Sequence, residues 1–177
     1  MKKILVLYAH PSPAETRVNR ACIEALRESN GITIHDLYSL YPDFVVNVKK
    51  EQSLLLEHDL IVFHHPIRWY SCPALLKEWI DLVLERGFAY GRGGTALAGK
   101  ELLQAVSAGG PKSAYGPDGY HFYSLAEFLR PFERTASLCN MKYLDPFVIY
   151  DANEIDDSSL EKASAEYKRL LLSYQTS

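Results

Sequence analysis

Five short apolar runs, separated by stretches with helical spacing, constrain this chain more than any other feature. The runs are Lys3 to Ala9, Ile32 to Asp36, Asp59 to His64, Glu101 to Ser107 and Lys142 to Tyr150. Each has the length of a strand rather than a helix. The helical stretches are Val18 to Glu28, Val48 to Glu57, Pro73 to Leu84, Ser124 to Cys139 and Ser158 to Tyr174. Such alternation predicts an α/β fold with a parallel sheet covered by helices on both faces. Right-handed crossovers leave few ways to wind five strands, and the order 2-1-3-4-5 is the commonest. No repeat, low-complexity tract or linker interrupts the 177 residues, so a single domain over 1–177 is expected. Hydrophobic residues make up 47%, which argues against disorder.

Local signals mark the element ends. Thr16 is placed to cap the first helix, and Asn30-Gly31 to stop it. Leu37 to Asn47 is expected to be irregular, with Pro42 breaking it. Pro73 suits the first turn of the central helix, which aligns Leu75, Leu76, Trp79, Ile80, Val83 and Leu84 on one face. Pro131 requires the fourth helix to kink or start late. Ser158 followed by Glu161 reads as a capping box.

Several function classes fall away. The net charge of −3 implies no basic face, so nucleic acid is a poor partner. Cys22, Cys72 and Cys139 form no CxxC and no metal-ligand spacing, which suits packing in a reducing compartment. Cys72 precedes a helix but has no identifiable base, so it reads as structural. The first apolar run stops at Ala9-His10-Pro11 without a small-residue cleavage site, and reads as a strand rather than a leader. No run approaches the roughly 18 apolar residues of a membrane span, and a cytoplasmic protein is expected. His64 and His65 are adjacent in an extended segment and point to opposite sides; with His58 they make no ligand set, and no metal is expected. There is no GxGxxG after the first strand, no GxxxxGK[ST] and no GxSxG.

The loops at the strand C-termini remain, and in such a sheet ligands bind there. After the first strand, His10, Thr16, Arg17 and Asn19 supply groups a phosphate wants at a helix start, although an ordinary capped helix uses the same residues. After the third, Arg68, Trp69 and Tyr70 form a short loop that serves equally as a pocket wall or as a plug over the core. After the fourth, Ser107-Ala108-Gly109-Gly110 lets backbone approach a ligand edge, or marks a plain turn. Tyr115, Tyr120 and His121 follow, two residue types able to donate to an oxygen that gains negative charge.

These residues resemble a family. Phe63 to Trp79 with Pro66, Trp69-Tyr70, Pro73-Ala74 and Leu76-Lys77, then Gly87-Phe88-Ala89-Tyr90-Gly91, is similar to NAD(P)H:quinone oxidoreductases of the DT-diaphorase type. Tyr8-Ala9-His10-Pro11, Asn19, Gly109-Gly110, Tyr115 and His121 match as well. Tyr38 to Phe44 and Gly94 to Lys100 resemble its short bacterial branch: general stress protein 14-like oxidoreductases and the ancillary flavoproteins of glutathione-gated potassium efflux. The likeness covers roughly residues 3 to 150.

The resemblance implies a flavodoxin-like fold and a flavin. His10, Thr16, Arg17, Val18 and Asn19 would hold its phosphate; Ile67, Arg68, Trp69 and Tyr70 would line the ring; Ser107, Ala108, Gly109 and Gly110 would bond the ring edge. Tyr115 and His121 would assist hydride transfer, and Phe88 and Tyr90 of a partner copy would close the substrate slot of a homodimer. Family members work by ping-pong, with hydride passing from NAD(P)H to the flavin and two electrons then to a quinone or similar electrophile. Arg68 departs from the glutamine of many relatives. The chain ends soon after the fifth strand and one helix, which favours FMN while FAD stays compatible. Two other roles fit the same residues: a regulatory subunit of a membrane potassium antiporter, bound at the inner face of the membrane, and a flavodoxin-type electron carrier.

Overall fold

The computed structural model describes residues 1–176. Its sheet is parallel throughout, built on β1 (Ile4–Tyr8), β2 (Ile32–Asp36), β3 (Leu60–Pro66) and β4 (Glu101–Ser107). Beside β4 runs an edge strand in two pieces, β5 (Lys142–Tyr143) and β6 (Phe147–Ile149), so the order is 2-1-3-4-5 with β6 continuing the edge. The chain reverses direction of travel across the sheet between β1 and β3, and this is the switch point of the doubly wound fold.

Side chains alternate faces along each strand, and the two cores follow from that period. Ile4 and Val6 of β1, with Val62 and Leu103, pack under α1 (Arg17–Leu26) and α7 (Asp157–Gln175) through Cys22, Leu26, Tyr167 and Leu171. Leu5 and Leu7, with Ile61, Phe63 and Leu102, face the other way, toward Trp79 of α4 (Ala74–Val83) and Phe132 of α6 (Arg130–Leu138). His64 and His65 indeed part company. His64 meets Asn19 and Tyr167 on the first face, and His65 meets Gln104 and Phe132 on the second.

Five boundaries differ in detail from the sequence expectation. Leu37–Leu40 is a one-turn helix, α2, because Asp36 accepts from the Ser39 amide and hydroxyl. Lys142 to Tyr150 is not one strand: Leu144-Asp145-Pro146 breaks it, and Pro146 has no amide to give the ladder. The segment after Ser124 is two helices, α5 (Leu125–Phe128) and α6, with Pro131 in the first turn of the second, where its missing amide costs nothing. The last helix is capped by Asp156, not Ser158: its carboxylate accepts from the Ser159 amide at 2.9 Å. Pro73 likewise stands one residue before the central helix, as its N-cap. The Thr16 cap is as expected, with Oγ1 accepting from the Asn19 amide.

A buried carboxylate ties the second face together. Glu51, on α3 (Val48–Leu56), accepts from His35 Nε2 of β2 at 2.9 Å, Tyr41 Oη at 2.5 Å and Trp79 Nε1 of α4 at 2.8 Å. Among the described residues no helix is long and apolar enough to cross a membrane.

Candidate functional site

A cavity of about 570 Å³ opens at the C-terminal ends of β1, β3 and β4, over the switch point. The loop after β1 forms one wall. His10 is 5% exposed, and its Nδ1 accepts from the Ser12 amide at 3.1 Å, which leaves Nε2 as the protonated nitrogen. Burial, and then the charge of Arg68, hold its pKa below the usual imidazole value. Thr16, Arg17, Val18 and Asn19 line the cavity where α1 begins. The first amides of a helix have no intrahelical acceptor, and the helix dipole is positive there. Arg17 is tied back, donating from Nη2 to the Ile155 carbonyl and lying 3.7 Å from Asp157.

The loop after β3 supplies Pro66, Ile67 and Arg68 to the same cavity. Arg68, the departure from the family pattern, therefore faces the site rather than away from it. Trp69 and Tyr70 do not line this cavity. They are the two central residues of a tight turn in which Arg68 and Ser71 exchange backbone hydrogen bonds of 3.0 and 2.9 Å. Both have positive φ, 47° and 62°, a conformation that costs bulky residues about 1–3 kcal/mol. Trp69 is also 93% exposed, so few contacts repay the strain. Trp69→Gly is therefore expected to raise the unfolding free energy by about 1 kcal/mol in a urea titration, since glycine adopts this conformation freely and offsets only part of the gain through its looser unfolded chain. A loss of stability would show instead that the indole is held by contacts.

The loop after β4 contributes Ser107 and Gly109. Ala108 does not face the cavity: it is fully buried, its amide donates to Ile149 and its carbonyl accepts from Ala152. Gly110 turns toward the next segment, where an added Cβ would lie 3.7 Å from His121 Nε2.

That segment builds a second, aromatic cavity of about 470 Å³, lined by Tyr70, Tyr120, His121, Phe122, Tyr123 and Phe128. Tyr115 stands behind His121, the rings stacked at 4.5 Å and 30°. Burial raises the Tyr115 hydroxyl pKa, only partly offset by a hydrogen bond with the Gly110 backbone, so it stays a protonated donor at neutral pH. His121 Nδ1 is buried without a hydrogen-bond partner. Phe88 and Tyr90 line neither cavity; they are half-buried against the Trp79 side of the core. Among the described residues no cluster of His, Cys, Asp or Glu is assembled to hold a metal.

Ser12 and Glu15 also line the cavity, in the loop after β1, and Ala152 and Asn153, from the loop between β6 and α7, come from outside every loop expected to form it. β6 pairs with β4, and the Asp151 and Ala152 amides donate to the Gly110 and Ala108 carbonyls, which holds that loop beside the loop after β4 at the cavity mouth. Asn153 Nδ2 lies only 3.0 Å from where a Cβ on Gly109 would be, so glycine makes the close approach possible. The one local hint was Asp151-Ala152-Asn153, a polar turn sequence at a strand end.

Chemically, the first cavity suits an anion: helix amides, three hydroxyls, His10 and two guanidinium-bearing residues outweigh the single carboxylate of Glu15. The second suits a flat aromatic molecule, with a hydroxyl and an imidazole at hand. They share the loop from Pro66 to Tyr70.

A family model described as flavodoxin-like fold matches residues 2–171. The glutathione-regulated potassium-efflux system ancillary protein KefG of Pectobacterium carotovorum subsp. carotovorum is 47% identical over 171 residues, 97% of this chain and 93% of its own. Among solved structures, general stress protein 14 of Treponema denticola in complex with FMN is 39% identical with a TM-score of 0.91, over 97% of this chain and 98% of that one. An NADPH-quinone reductase from P. pentosaceus is 32% identical with a TM-score of 0.87, over 95% of this chain and 96% of that one.

Proposed function

The chain belongs to the flavodoxin-like-fold family, and from that premise we propose that it is an FMN-dependent reductase that takes electrons from NAD(P)H and delivers them in pairs to a quinone or similar electrophile. The observation that carries this reading is the anion-ready cavity at the switch point, joined through one loop to an aromatic slot. The similar proteins support it, one solved with FMN and one described as an NADPH-quinone reductase.

The residues present fit the cofactor. Thr16, Arg17, Val18 and Asn19 at the start of α1, with His10 Nε2–H beside them, would hold its phosphate. Ile67, Arg68 and Gly109 along the cavity wall, with Trp69 and Tyr70 on the adjoining turn, would hold its ring. Bound there, the flavin supplies the two-electron centre between nicotinamide and acceptor. The protein's own part is to orient and to donate. Tyr115 Oη, stacked behind the slot, and His121 on its wall would offer protons to the acceptor oxygen as it gains negative charge. Phe88 and Tyr90, half-buried at the edge of the core and lining neither cavity of their own subunit, would close the slot of a second copy in a homodimer.

A second reading, favoured by the 47% identity to KefG, makes the same flavin domain an ancillary subunit bound to a membrane potassium antiporter at the cytoplasmic face. The visible spectrum of the protein with FMN separates the two. Under the reductase reading, the bound-flavin band bleaches on anaerobic NADPH and returns on adding a quinone. A bound flavin that NADPH leaves oxidised supports the ancillary reading, and no flavin binding at all overturns the cofactor assignment.

A further inference from the structure

Beneath the cavity lies a chain of buried hydrogen bonds that reaches from α7 to the cavity floor. Tyr167 Oη is 3.0 Å from His64 Nδ1, and His64 Nε2 is 3.1 Å from Asn19 Oδ1. Asn19 Nδ2 is 3.0 Å from both Thr16 Oγ1 and Ser107 Oγ. Tyr167 is fully buried, and His64 and Asn19 are each 3% exposed. Thr16 and Ser107 line the cavity.

The donors in this chain can be assigned by elimination. A carbonyl oxygen only accepts, so His64 Nε2 carries the proton that goes to Asn19 Oδ1. Complete burial, then the neighbouring His65 and His10, pull the His64 pKa down to about 3, so the ring is neutral and Nδ1 is an acceptor. Tyr167 Oη–H therefore donates to it. At the other end, both Asn19 Nδ2 protons are spent on the two hydroxyl oxygens. Thr16 Oγ1 accepts a second time, from the Asn19 amide at 3.3 Å. Each hydroxyl thus accepts from below, Thr16 Oγ1 twice and Ser107 Oγ once, and keeps its own proton free for the cavity. The opposite polarity, with the Asn19 amide reversed, would turn both hydroxyl protons inward and leave lone pairs facing the ligand.

We propose that Tyr167 and His64 are positioning residues that lock the Asn19 amide in one orientation, so that Thr16, at the start of α1, presents an O–H donor to a phosphate monoester and discriminates it from the neutral alcohol, while Ser107 turns its own O–H to the adjoining part of the same ligand. Neither touches the ligand. They act through the direction of a hydrogen-bond chain, in a low-dielectric interior where such chains reinforce one another. This rests on the flavin-phosphate reading of the cavity and adds residues from β3 and α7 to it.

The test compares FMN with riboflavin, which lacks the phosphate, by fluorescence titration of the full chain. Tyr167→Phe keeps the buried ring and deletes only the proton that starts the chain. It is expected to weaken FMN about 5- to 10-fold and riboflavin less than about twofold. His64→Gln, which keeps one acceptor and one donor, is expected to hold FMN within about threefold of the parent, whereas His64→Leu loses at least about tenfold. Equal weakening of both flavins by Tyr167→Phe, or of neither, overturns the inference, as does the same loss in His64→Gln and His64→Leu. A parent chain that binds FMN no better than riboflavin overturns the phosphate reading itself, a result visible before any substitution is made.

Discussion

Replacing Glu51 with alanine is expected to lower the unfolding free energy by about 3–5 kcal/mol, seen as a lower urea midpoint with an unchanged slope. The carboxylate is fully buried and joins three elements to its own helix α3 through His35, Tyr41 and Trp79. Alanine strands three donors in the core at once, each costing about 1–3 kcal/mol when left without an acceptor. Burial pushes the Glu51 pKa up, but the hydrogen bonds from His35, Tyr41 and Trp79 outweigh it, and the net direction is down. A depressed carboxylate pKa stabilises the fold above the unfolded-state value, and that contribution is lost as pH falls through the folded-state value. The gap between the parent and Glu51→Gln is therefore expected to narrow on acidification from about pH 7 to about pH 3, followed by urea titrations at each pH. A gap that widens instead would mean that the carboxylate is held protonated in the fold.

The double substitution Tyr115→Phe with His121→Ala is expected to slow quinone turnover by about 10²-fold while FMN affinity stays within error of the parent. Both residues sit in the loop after β4, outside the polar cavity that holds the phosphate in the proposed reading, so binding and turnover are separable. Tyr115→Phe alone keeps the 4.5 Å stack on His121 and removes only the hydroxyl, so it isolates proton donation from packing. Stopped-flow reduction by NADPH and reoxidation by quinone, measured separately, assign the effect to one half-reaction. Unchanged turnover in the double variant would remove both residues from the chemistry.

The legible parts of the site were those carried by a single loop. Thr16 stands before a periodic stretch, and its cap is a contact across three residues. Gly109 and Ser107 follow an apolar run directly, and the strand order places that run's end beside the switch point. Trp69 was less legible. As a sequence neighbour of Arg68 it belongs to the site, yet two left-handed residues turn it outward, 93% exposed, and no propensity argues for that conformation in tryptophan. Ala152 and Asn153 lie far along the chain from every other wall of the cavity, and the pairing of β6 with β4, with the backbone hydrogen bonds from 151–152 to Gly110 and Ala108, brings them there.

By itself the sequence determined the parallel sheet, its winding, the faces of its helices and the loops that form the site. These follow from side-chain period, helix caps and the handedness of crossovers, all of which act within one element or between successive ones. Only the tertiary structure decided where the edge strand breaks and that Glu51 and His64 are the centres of two buried polar networks. A buried donor or acceptor is satisfied by whatever group lies within about 3 Å. In this fold that group comes from another element, as with His64 and Tyr167, 103 positions apart in the sequence. Period and capping act over a few residues, so the partner, and with it the direction of the hydrogen-bond chain, exists only once the layers have packed.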